Sequence, residues 1–174
     1  MTLTFVMDPK VGPALYEEIL DLWTEVTNAG GAVGFVPPVV PDDIRPQLLT
    51  QVGMVSDGRM RLLMGRDEEG ALAAVSFLGL NQHRLMTHWI WLYTVMVHPR
   101  HQGRGYGREL LAASAEHART IGGVEAIRLS CRGGMGLEDF YASCGYKEVG
   151  RVPDGVRVAP GDDRDDITML LPLH

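Results

Sequence analysis

The clearest chemical signal in this chain of 174 residues is the segment Gln102–Arg108, which has the sequence Q-G-R-G-Y-G-R. It follows the apolar run Trp89–Val97 and precedes a helical pattern that begins near Glu109. Glycines allow a backbone to approach a ligand closely and to take positive φ angles. The free N–H groups in the first turn of a following helix point at whatever lies in that turn. A strand, a glycine-rich turn and a helix in this order predict a site for phosphate or pyrophosphate.

Two common phosphate-binding motifs do not fit this segment. A dinucleotide fingerprint, G-x-G-x-x-G, accepts Gly103 and Gly105 but then meets Arg108. A P-loop requires Gly-Lys-Ser or Gly-Lys-Thr, and the sequence contains neither. The pattern that fits is Q-x-x-G-x-G, which starts at Gln102 and follows Val95–Pro99, V-M-V-H-P. The alternative is a surface turn without a ligand, but that reading does not account for the register of strand, His-Pro, turn and helix.

This pattern resembles the acetyl-CoA motif of the GNAT superfamily of N-acetyltransferases. Leu137–Tyr146, L-E-D-F-Y-A-S-C-G-Y, is similar to the superfamily's F-Y-x-x-x-G-F/Y segment. Gly30–Phe35, G-G-A-V-G-F, is similar to a segment of the tabtoxin resistance acetyltransferase, as is the layout of the tail Tyr141–Leu173. The resemblance spans nearly the whole chain. It implies that acetyl-CoA donates an acetyl group to the primary amine of a small molecule, an amino-acid-like metabolite or antibiotic, by direct attack in a ternary complex.

The resemblance also implies how the cofactor is held. The turn cradles the pyrophosphate with its backbone N–H groups, and the end of the preceding strand lies along the pantetheine arm. An N–H group there, from Val95, would polarise the thioester carbonyl; the side chains of Val95 and Val97 can pack in the core at the same time. The cofactor-binding residues expected on this basis are Val95, Met96, Val97, Gln102, Gly103, Arg104, Gly105, Tyr106, Gly107 and Arg108.

Tyr141 is the expected catalytic residue, since the resemblance places it where the superfamily often has a general acid that protonates the leaving thiolate. The ordinary pKa of a phenol is close enough to that of a thiol for useful proton exchange. A tyrosine that merely packs under the sheet is the alternative. Many relatives carry an asparagine seven residues earlier, against the pantetheine, and this chain has Gly134 there.

The group that deprotonates the amine is not evident from the sequence. Relatives often carry a carboxylate on the strand that leads to the motif or on the next strand, and an acidic position of the tabtoxin resistance enzyme corresponds to Ser130. Neither Trp89–Thr94 nor Ile127–Ser130 contains a carboxylate. The base can act through water, or the amine can arrive neutral. The remaining candidates for a base are Tyr93, His88 and Glu138.

The acceptor site is expected near an aromatic wall. Trp89, Trp91 and Tyr93 alternate with other residues and so project from one face of a strand, although core packing is favoured for the two tryptophans. The acidic run Asp162–Asp166 is typical of a solvated loop, with attraction of an ammonium substrate as the alternative. The residues expected to contact the acceptor are Phe35, Trp91, Tyr93 and Ser130.

Composition narrows the function classes. The net charge of −6 and the lack of a basic stripe argue against nucleic acid as a partner. The two cysteines, Cys131 and Cys144, lack C-x-x-C spacing, so we expect free thiols and no metal site. No signal peptide and no apolar stretch of about 18 residues is present, which indicates a cytoplasmic protein without a membrane partner. A homodimer is left open.

The length and the apolar fraction of 45% favour one domain over residues 1–174. We predict an α/β fold in which a mixed central sheet of about six to seven strands is flanked by about four helices. Helices are predicted over 13–27, 41–56 with Asp42 as a candidate cap, 106–121 and 136–143. Strands are predicted over 3–6, 59–65, 71–80, 87–97, 126–131, 146–149 and 167–171, with a long polar loop over 155–166.

Two other functions remain open. One is a protein or peptide N-acetyltransferase that acts on N-termini or lysines, which would favour an open acidic groove. The other is a non-catalytic module that binds acetyl-CoA, for which the missing strand carboxylate and Gly134 are the best support. The intact glycine turn and Tyr141 argue for an enzyme.

Overall fold

The computed structural model of the protein describes residues 2–174; Met1, which the predicted single domain includes, lies outside the described residues. The described part contains four α-helices, seven strands and a short 3-10 helix, Pro99–His101. The α-helices are α1 (Pro13–Asn28), α2 (Pro41–Ser56), α3 (Tyr106–Arg119) and α4 (Leu137–Ser143). The strands are β1 (Thr4–Met7), β2 (Met60–Arg66), β3 (Leu72–Leu80), β4 (Trp89–Val97), β5 (Ala126–Arg132), β6 (Lys147–Ala159) and β7 (Asp162–Pro172). The predicted fold class is confirmed.

All seven strands join one mixed sheet in the order β1-β2-β3-β4-β5-β7-β6. Neighbours are antiparallel except β4 and β5, which run parallel. The β4–β5 ladder holds only three pairs, from Trp89 opposite Ala126 to Trp91 opposite Arg128. Beyond these pairs the two strands separate, which leaves an opening in the middle of the sheet.

Helices cover both faces of the sheet and so create two hydrophobic cores. On one face, α3 buries Leu110 and Leu111 against the sheet, and Phe140 of α4 packs at the edge of the same core. On the other face, α1 buries Ile19 and Trp23 together with residues of α2. The apolar stripes of α1 and α3 have the 3.6-residue spacing from which both helices were predicted.

The alternation of β4 is interrupted at Thr94. This residue has φ +53°, and the register with β3 shifts at the same point. Ile90 packs in the α3 core before the interruption, and Val97 packs at the edge of that same core after it, whereas Met96 lies in the α1–α2 core. A bulge of this kind inserts one residue and reverses which face the following side chains occupy.

The prediction of a polar loop over 155–166 is wrong. This region belongs to a long hairpin in which β6 turns into β7 at Pro160 and Gly161, so the acidic run lies in a strand. The hairpin extends beyond β5, so both faces of its outer half meet solvent and polar residues are tolerated there. Two arginine–aspartate pairs connect the strands of its outer half, Arg157–Asp163 and Arg151–Asp165, and a third, Arg164–Asp162, lies within β7.

The predicted cap of α2 is also wrong. The N-cap position is Val40, and the carboxylate of Asp43 accepts a hydrogen bond from the Val40 N–H at 2.8 Å. Asp42 lies inside the first turn and pairs with Arg45 instead. Within residues 2–174, no helix has both the length and the apolar character needed to cross a membrane.

Candidate active site

The glycine-rich turn joins the end of β4 to the start of α3. Gly105 is the N-cap of α3 and has φ +85°, a conformation that L-residues with a side chain rarely adopt. Gly107 is required for another reason, since a Cβ atom there would lie 3.1 Å from Cζ of Phe140. One glycine therefore shapes the turn, and the other lets α4 pack closely against α3.

The first turn of α3 presents free amides. The first helical hydrogen bond runs from the Glu109 N–H to the Gly105 carbonyl, at 3.2 Å. The N–H groups at positions 106–108 therefore lack helical partners, as at any helix start. Together with the partial positive charge of the helix end, they are suited to an anion such as a pyrophosphate.

The polar side chains of the turn have different roles. Gln102 donates from Nε2 to the Val97 carbonyl at 3.2 Å and so ties the turn to the end of β4. Arg108 donates to the Ser143 carbonyl at 2.9 Å and to its Oγ at 3.0 Å, so its guanidinium holds the end of α4. Arg104 is exposed and forms no hydrogen bond with another described residue. Of the two arginines, only Arg104 has a side chain available for a phosphate.

A buried carboxylate anchors the segment that leads into the turn. Asp67, after β2, accepts hydrogen bonds from His101 and from Arg100, each at 3.0 Å, and from the amides of Glu69 and Ala71. Burial disfavours the charged carboxylate, but these four donors outweigh it, so the pKa of Asp67 lies below its ordinary value. The short helix that contains Arg100 and His101 is thereby fixed to the β2–β3 turn.

The edge of β4 that faces the opening carries unpaired backbone groups. The His98 N–H, just after β4, donates to the carbonyl of Ala73 on the neighbouring strand β3 at 2.8 Å. Successive N–H groups of a strand point to opposite edges, so the Val95 and Val97 N–H groups face away from β3. They point into the space between β4 and β5, where an extended amide-containing chain can pair with them.

A cavity of about 520 Å³ lies beside the bulge of β4. All four residues predicted to contact the acceptor line it: Phe35, Trp91, Tyr93 and Ser130. The other lining residues are Trp23, Ala32, Val33, Gly34, Gln47, Gln51, Leu92 and Thr94. Trp89 does not line it; this residue is buried, and the guanidinium of Arg128 stacks 3.9 Å from its ring centroid. The predicted aromatic wall is therefore formed by Trp91 and Tyr93, while Trp89 packs in the interior.

Helix α1 fixes one wall of the cavity. The indole N–H of Trp23 donates to the Val33 carbonyl at 2.9 Å, and the Trp23 ring meets Phe35 edge-on with centroids 5.7 Å apart. The segment 32–35 is thus held against the helix as a defined wall. This explains in physical terms why the glycine-rich segment after α1 lies at the acceptor side.

Gln51 is a site residue that the sequence analysis missed. It is buried, its Nε2 donates to Thr94 Oγ1 at 3.1 Å, and its Oε1 has no hydrogen-bond partner among residues 2–174. Gln51 follows Gln47 by four residues, which places both on one face of α2. This four-residue spacing is the feature of the sequence that could have indicated a polar face of α2 at the site. Gln51 thus adds a polar side chain to the cavity wall, and its amide is tied to the bulge of β4.

Asp166 belongs to the acidic run Asp162–Asp166, and the sequence did not predict its contact with Ser130. The Ser130 hydroxyl donates to Asp166 Oδ1 at 2.5 Å, across the β5–β7 pairing. A carboxylate thus stands behind a residue that lines the cavity, although neither β4 nor β5 contains one near the opening. The acidic run was predicted as a solvated loop, with attraction of an ammonium substrate as the alternative, and its pairing with β5 was not predicted.

Tyr141 lies on α4, half-buried against the α3 core, with its ring centroid 5.7 Å from that of Tyr146. Burial, with Cys131 and Cys144 nearby, raises the pKa of its phenol well above the ordinary value. The phenol therefore stays protonated and can donate a hydrogen bond at any pH near neutrality. At the position of the family asparagine, the Arg164 guanidinium lies against Gly134, and a Cβ there would be 2.5 Å from its Nη1.

The other candidate bases are poorly placed or poorly suited. Burial raises the pKa of Tyr93, which keeps the phenol protonated and so opposes its use as a base. His88 precedes β4 and is about 20 Å from Thr94 by the rise per strand residue. Glu138 is on α4 and does not line the cavity. In the part of the chain that the structure describes, no group of three or more His, Cys, Asp or Glu residues is arranged to hold a metal ion.

These features place a turn suited to an anion at one end of β4 and an uncharged cavity beside the bulge of the same strand. The model of the acetyltransferase (GNAT) family matches residues 16–146, which is most of the chain. The chain belongs to this family and is an N-acetyltransferase; acetyl-CoA is the cosubstrate of the family. The resemblance inferred from the sequence is confirmed.

Solved structures share the fold over the full chain. A candidate phosphinothricin N-acetyltransferase is 16% identical with a TM-score of 0.78 and covers 98% of this chain and 99% of its own. The yncA acetyltransferase of Salmonella typhimurium, solved with acetyl-CoA, is 20% identical with a TM-score of 0.76 and covers 100% and 95%. A spermidine N-acetyltransferase SpeG chimera of Vibrio cholerae and hSSAT is 18% identical with a TM-score of 0.74 and covers 99% and 96%. No curated protein matches the chain. These neighbours differ in acceptor, so the shared fold leaves the substrate undecided.

Proposed function

We propose that this protein transfers the acetyl group of acetyl-CoA to the primary amine of a small molecule, by direct attack in a ternary complex. The observation that carries the proposal is the path from the anion-binding turn to the cavity. Val97, at the start of that turn, is three residues and about 10 Å along the strand from Thr94, which lines the cavity. One extended cofactor can therefore reach from the turn to the acceptor. Since the described residues share one sheet, we also infer a single domain.

The cofactor would be held mainly by backbone groups. The amides at 106–108 and the side chain of Arg104 meet the pyrophosphate, while Gly103 and Gly105 provide the turn. The free edge of β4 from Val95 to Val97 pairs with the pantetheine amides in the opening beside β5. The Val95 N–H is then placed to donate a hydrogen bond to the thioester carbonyl. This hydrogen bond strengthens as negative charge develops on the carbonyl oxygen.

The reaction requires one new bond and one broken bond. The amine nitrogen attacks the thioester carbon, and the resulting tetrahedral intermediate collapses as the carbon–sulfur bond breaks. The Tyr141 hydroxyl donates a hydrogen bond to the leaving sulfur. Because the pKa of Tyr141 is raised, full proton transfer is uphill, and the hydrogen bond to the developing thiolate is the main stabilisation that this phenol supplies.

The cavity supports a small acceptor over a peptide. Its volume of about 520 Å³ lies in the range of small-molecule sites, and the segment 32–35 pinned by Trp23 closes one side. An amino-acid-like acceptor, which the tabtoxin resistance resemblance implies, would place a carboxylate here. None of the described lining residues is cationic, so the cavity offers no partner for that carboxylate. This favours a primary amine without a carboxylate as the acceptor over an amino acid.

Calorimetric titration with acetyl-CoA, followed by a thiol-release assay, tests the proposal. The acceptor panel includes small monoamines, amino acids, aminoglycosides, spermidine and short peptides. Binding together with turnover of any small amine supports the enzyme as proposed. Turnover of peptides alone would replace it with a peptide N-acetyltransferase. Binding without turnover of any acceptor would favour the non-catalytic module, and absence of binding would overturn the cofactor assignment.

A further inference from the structure

The lining of the cavity is uncharged. Among the described residues that form it, none has an ionisable acid or base other than the phenol of Tyr93. Four aromatic side chains contribute: Trp23 and Phe35 meet edge-on, and Trp91 and Tyr93 lie tilted by 31° with centroids 6.2 Å apart. Such walls favour apolar or aromatic surface and tolerate an ammonium group over a ring face. A second charged group on the ligand would lose its hydration without gaining a partner.

One carboxylate reaches this uncharged lining, and it does so through Ser130. In the run Asp162–Asp166, three aspartates form ion pairs with arginines on the hairpin. Asp166 has no basic side chain within 4 Å among residues 2–174, and its Oδ1 instead accepts from the Ser130 hydroxyl. The Ser130 oxygen keeps its lone pairs for a donor in the cavity. Arg132 is opposite Asp166 in the β5–β7 register, but the two side chains form no ion pair within 4 Å. The Asp166 carboxylate therefore lies one side chain away from the acceptor site without a paired cation.

We propose that the acceptor is a primary monoamine with an uncharged aromatic or apolar body, and that Asp166 receives its ammonium group through Ser130. This inference rests on the N-acetyltransferase function proposed above and specifies its substrate class. The aromatic walls hold the body of the acceptor. Gln51 contributes polar surface on the α2 side of the cavity.

The same pair gives the amine a route to lose its proton. The ammonium donates to Ser130 Oγ, and as its proton moves to that oxygen the Ser130 hydroxyl proton moves to the Asp166 carboxylate. The neutral nitrogen then forms the bond to the thioester carbon and gives up a second proton to solvent as the carbon–sulfur bond breaks. The sulfur leaves as a thiolate that accepts a hydrogen bond from Tyr141, and Asp166 releases its proton to solvent. The thiolate takes up one of these two protons from solvent, so each turnover releases one proton and restores the enzyme. Asp166 acts as a positioning residue for Ser130, which touches the amine.

Acceptor competition tests the substrate class. We expect kcat/KM for 2-phenylethylamine to exceed the values for L-phenylalanine, which adds only a carboxylate, and for spermidine, which adds cationic centres. The expected ratio is about tenfold or more, since each added charge would be buried without a partner. Turnover of an amino acid, phosphinothricin or spermidine at higher kcat/KM would overturn the inference while leaving the N-acetyltransferase function intact. Failure of every acceptor would instead count against the function itself.

Substitution of Asp166 tests the role of the carboxylate. Asp166→Asn should lower kcat/KM for 2-phenylethylamine about 100-fold at pH 7, the usual size of an acid–base contribution. The loss should shrink as the pH rises to about 9.5, because more of the amine is then neutral in solution. The loss of kcat/KM should also be small for 2,2-difluoro-2-phenylethylamine. Its fluorines lower the basicity of the amine without adding charge, so more of this amine is neutral at pH 7. Asp163→Asn, in an arginine-paired aspartate of the same strand, is the control and should leave kcat/KM unchanged.

These readouts separate chemistry from structure. A merely structural role for Asp166 would reduce the activity on both amines equally at every pH. Equal losses at pH 7 and pH 9.5, or wild-type activity in Asp166→Asn, would overturn the assignment of the carboxylate. Acetyl-CoA affinity measured by calorimetry should stay within about twofold in both variants, which confirms that each has folded.

Discussion

Tyr141 and Tyr146 lie side by side with ring centroids 5.7 Å apart, yet only one of the two phenols has a proposed role. Burial raises the pKa of both. Tyr146 belongs fully to the core, and its hydroxyl has no hydrogen-bond partner within residues 2–174. Tyr141 is half-buried at the edge of the same core and matches the general-acid position of the family. The pair therefore provides a matched test of what a phenol contributes.

Tyr141→Phe should lower kcat about 100-fold, because the leaving thiolate loses its hydrogen-bond donor. The affinity for acetyl-CoA should change by less than about twofold, since a phenyl ring preserves the packing. Tyr146→Phe should retain wild-type kcat. Steady-state kinetics and calorimetry measure both quantities. Because the pKa of Tyr141 is raised, any fall in wild-type activity between pH 8 and pH 10 must come from another group; full activity in Tyr141→Phe would remove this residue from the mechanism.

Gly105 offers a second test at a single position. A Cβ atom there meets no other atom within 4 Å, so the cost of a side chain is the left-handed backbone alone. Gly105→Glu should abolish detectable acetyl-CoA binding, because a carboxylate would enter the pyrophosphate site. Gly105→Asn tolerates the same φ and adds no charge, so it should bind with a much smaller loss. Calorimetry distinguishes the two, and unchanged affinity in Gly105→Glu would contradict the site.

Helix α4 illustrates how an element is positioned for function. It has seven residues, too short to be stable alone, and it depends on α3 for its place. Gly107 allows the Phe140 ring to approach, and Arg108 binds the carbonyl at the far end of α4. Two residues of the glycine motif thereby position the helix that contains Tyr141. The same short motif therefore contains the proposed anion-binding turn and the residues that position α4.

The Asp67 anchor is an element-scale feature with a measurable pH signature. Because the pKa of Asp67 is lowered in the folded state, the carboxylate stabilises the fold at pH values above its unfolded pKa, about 4. That stabilisation is lost as the pH falls below this value and through the lower folded pKa. Asp67→Asn should therefore cost about 2 kcal/mol at pH 7, or about 5 °C in Tm for a chain of this size.

Thermal unfolding at a series of pH values checks this prediction. The difference between wild type and Asp67→Asn should narrow as the pH falls from 5 to 3. Asp57→Asn is the control, since its pairing with Arg59 is exposed and contributes little. A difference that stays constant with pH would show that the effect is steric and not due to the charge.

Most elements were predictable from the sequence, and the exceptions share a physical cause. The amphipathic helices α1 and α3 and the apolar strands follow from periodicity alone, because one face of each is buried. The outer half of the β6–β7 hairpin buries neither face, so its strand character depends on pairing and on ion pairs that composition does not reveal. The bulge at Thr94 and the Ser130–Asp166 contact depend on the register between strands. Phe35, Trp91, Tyr93 and Ser130, predicted as a set, line one cavity, whereas the place of Gln51 and the contact of Asp166 with Ser130 required the fold.

At the scale of the whole molecule, the sheet consists of two parts joined by a short seam. Strands β1 to β4 form one part and β5, β7 and β6 the other, and only three residue pairs connect β4 with β5. The core on the α3 face bridges both parts. The family cosubstrate would fill the place where backbone pairing is missing. We therefore expect cofactor binding and the stability of the central sheet to be coupled.

Hydrogen exchange with and without acetyl-CoA tests this coupling. Binding should slow exchange at Val95 and Val97, whose N–H groups face the opening, and at the amides 106–108 of α3. The outer hairpin, residues 153–163, should be unaffected and is the internal control. At about 100 times Kd the cofactor should stabilise the fold by about 2.7 kcal/mol, which corresponds to roughly 5–10 °C in Tm. A rise in Tm with no protection at these β4 amides would place the cofactor elsewhere, because only a ligand in the opening can complete the missing pairs.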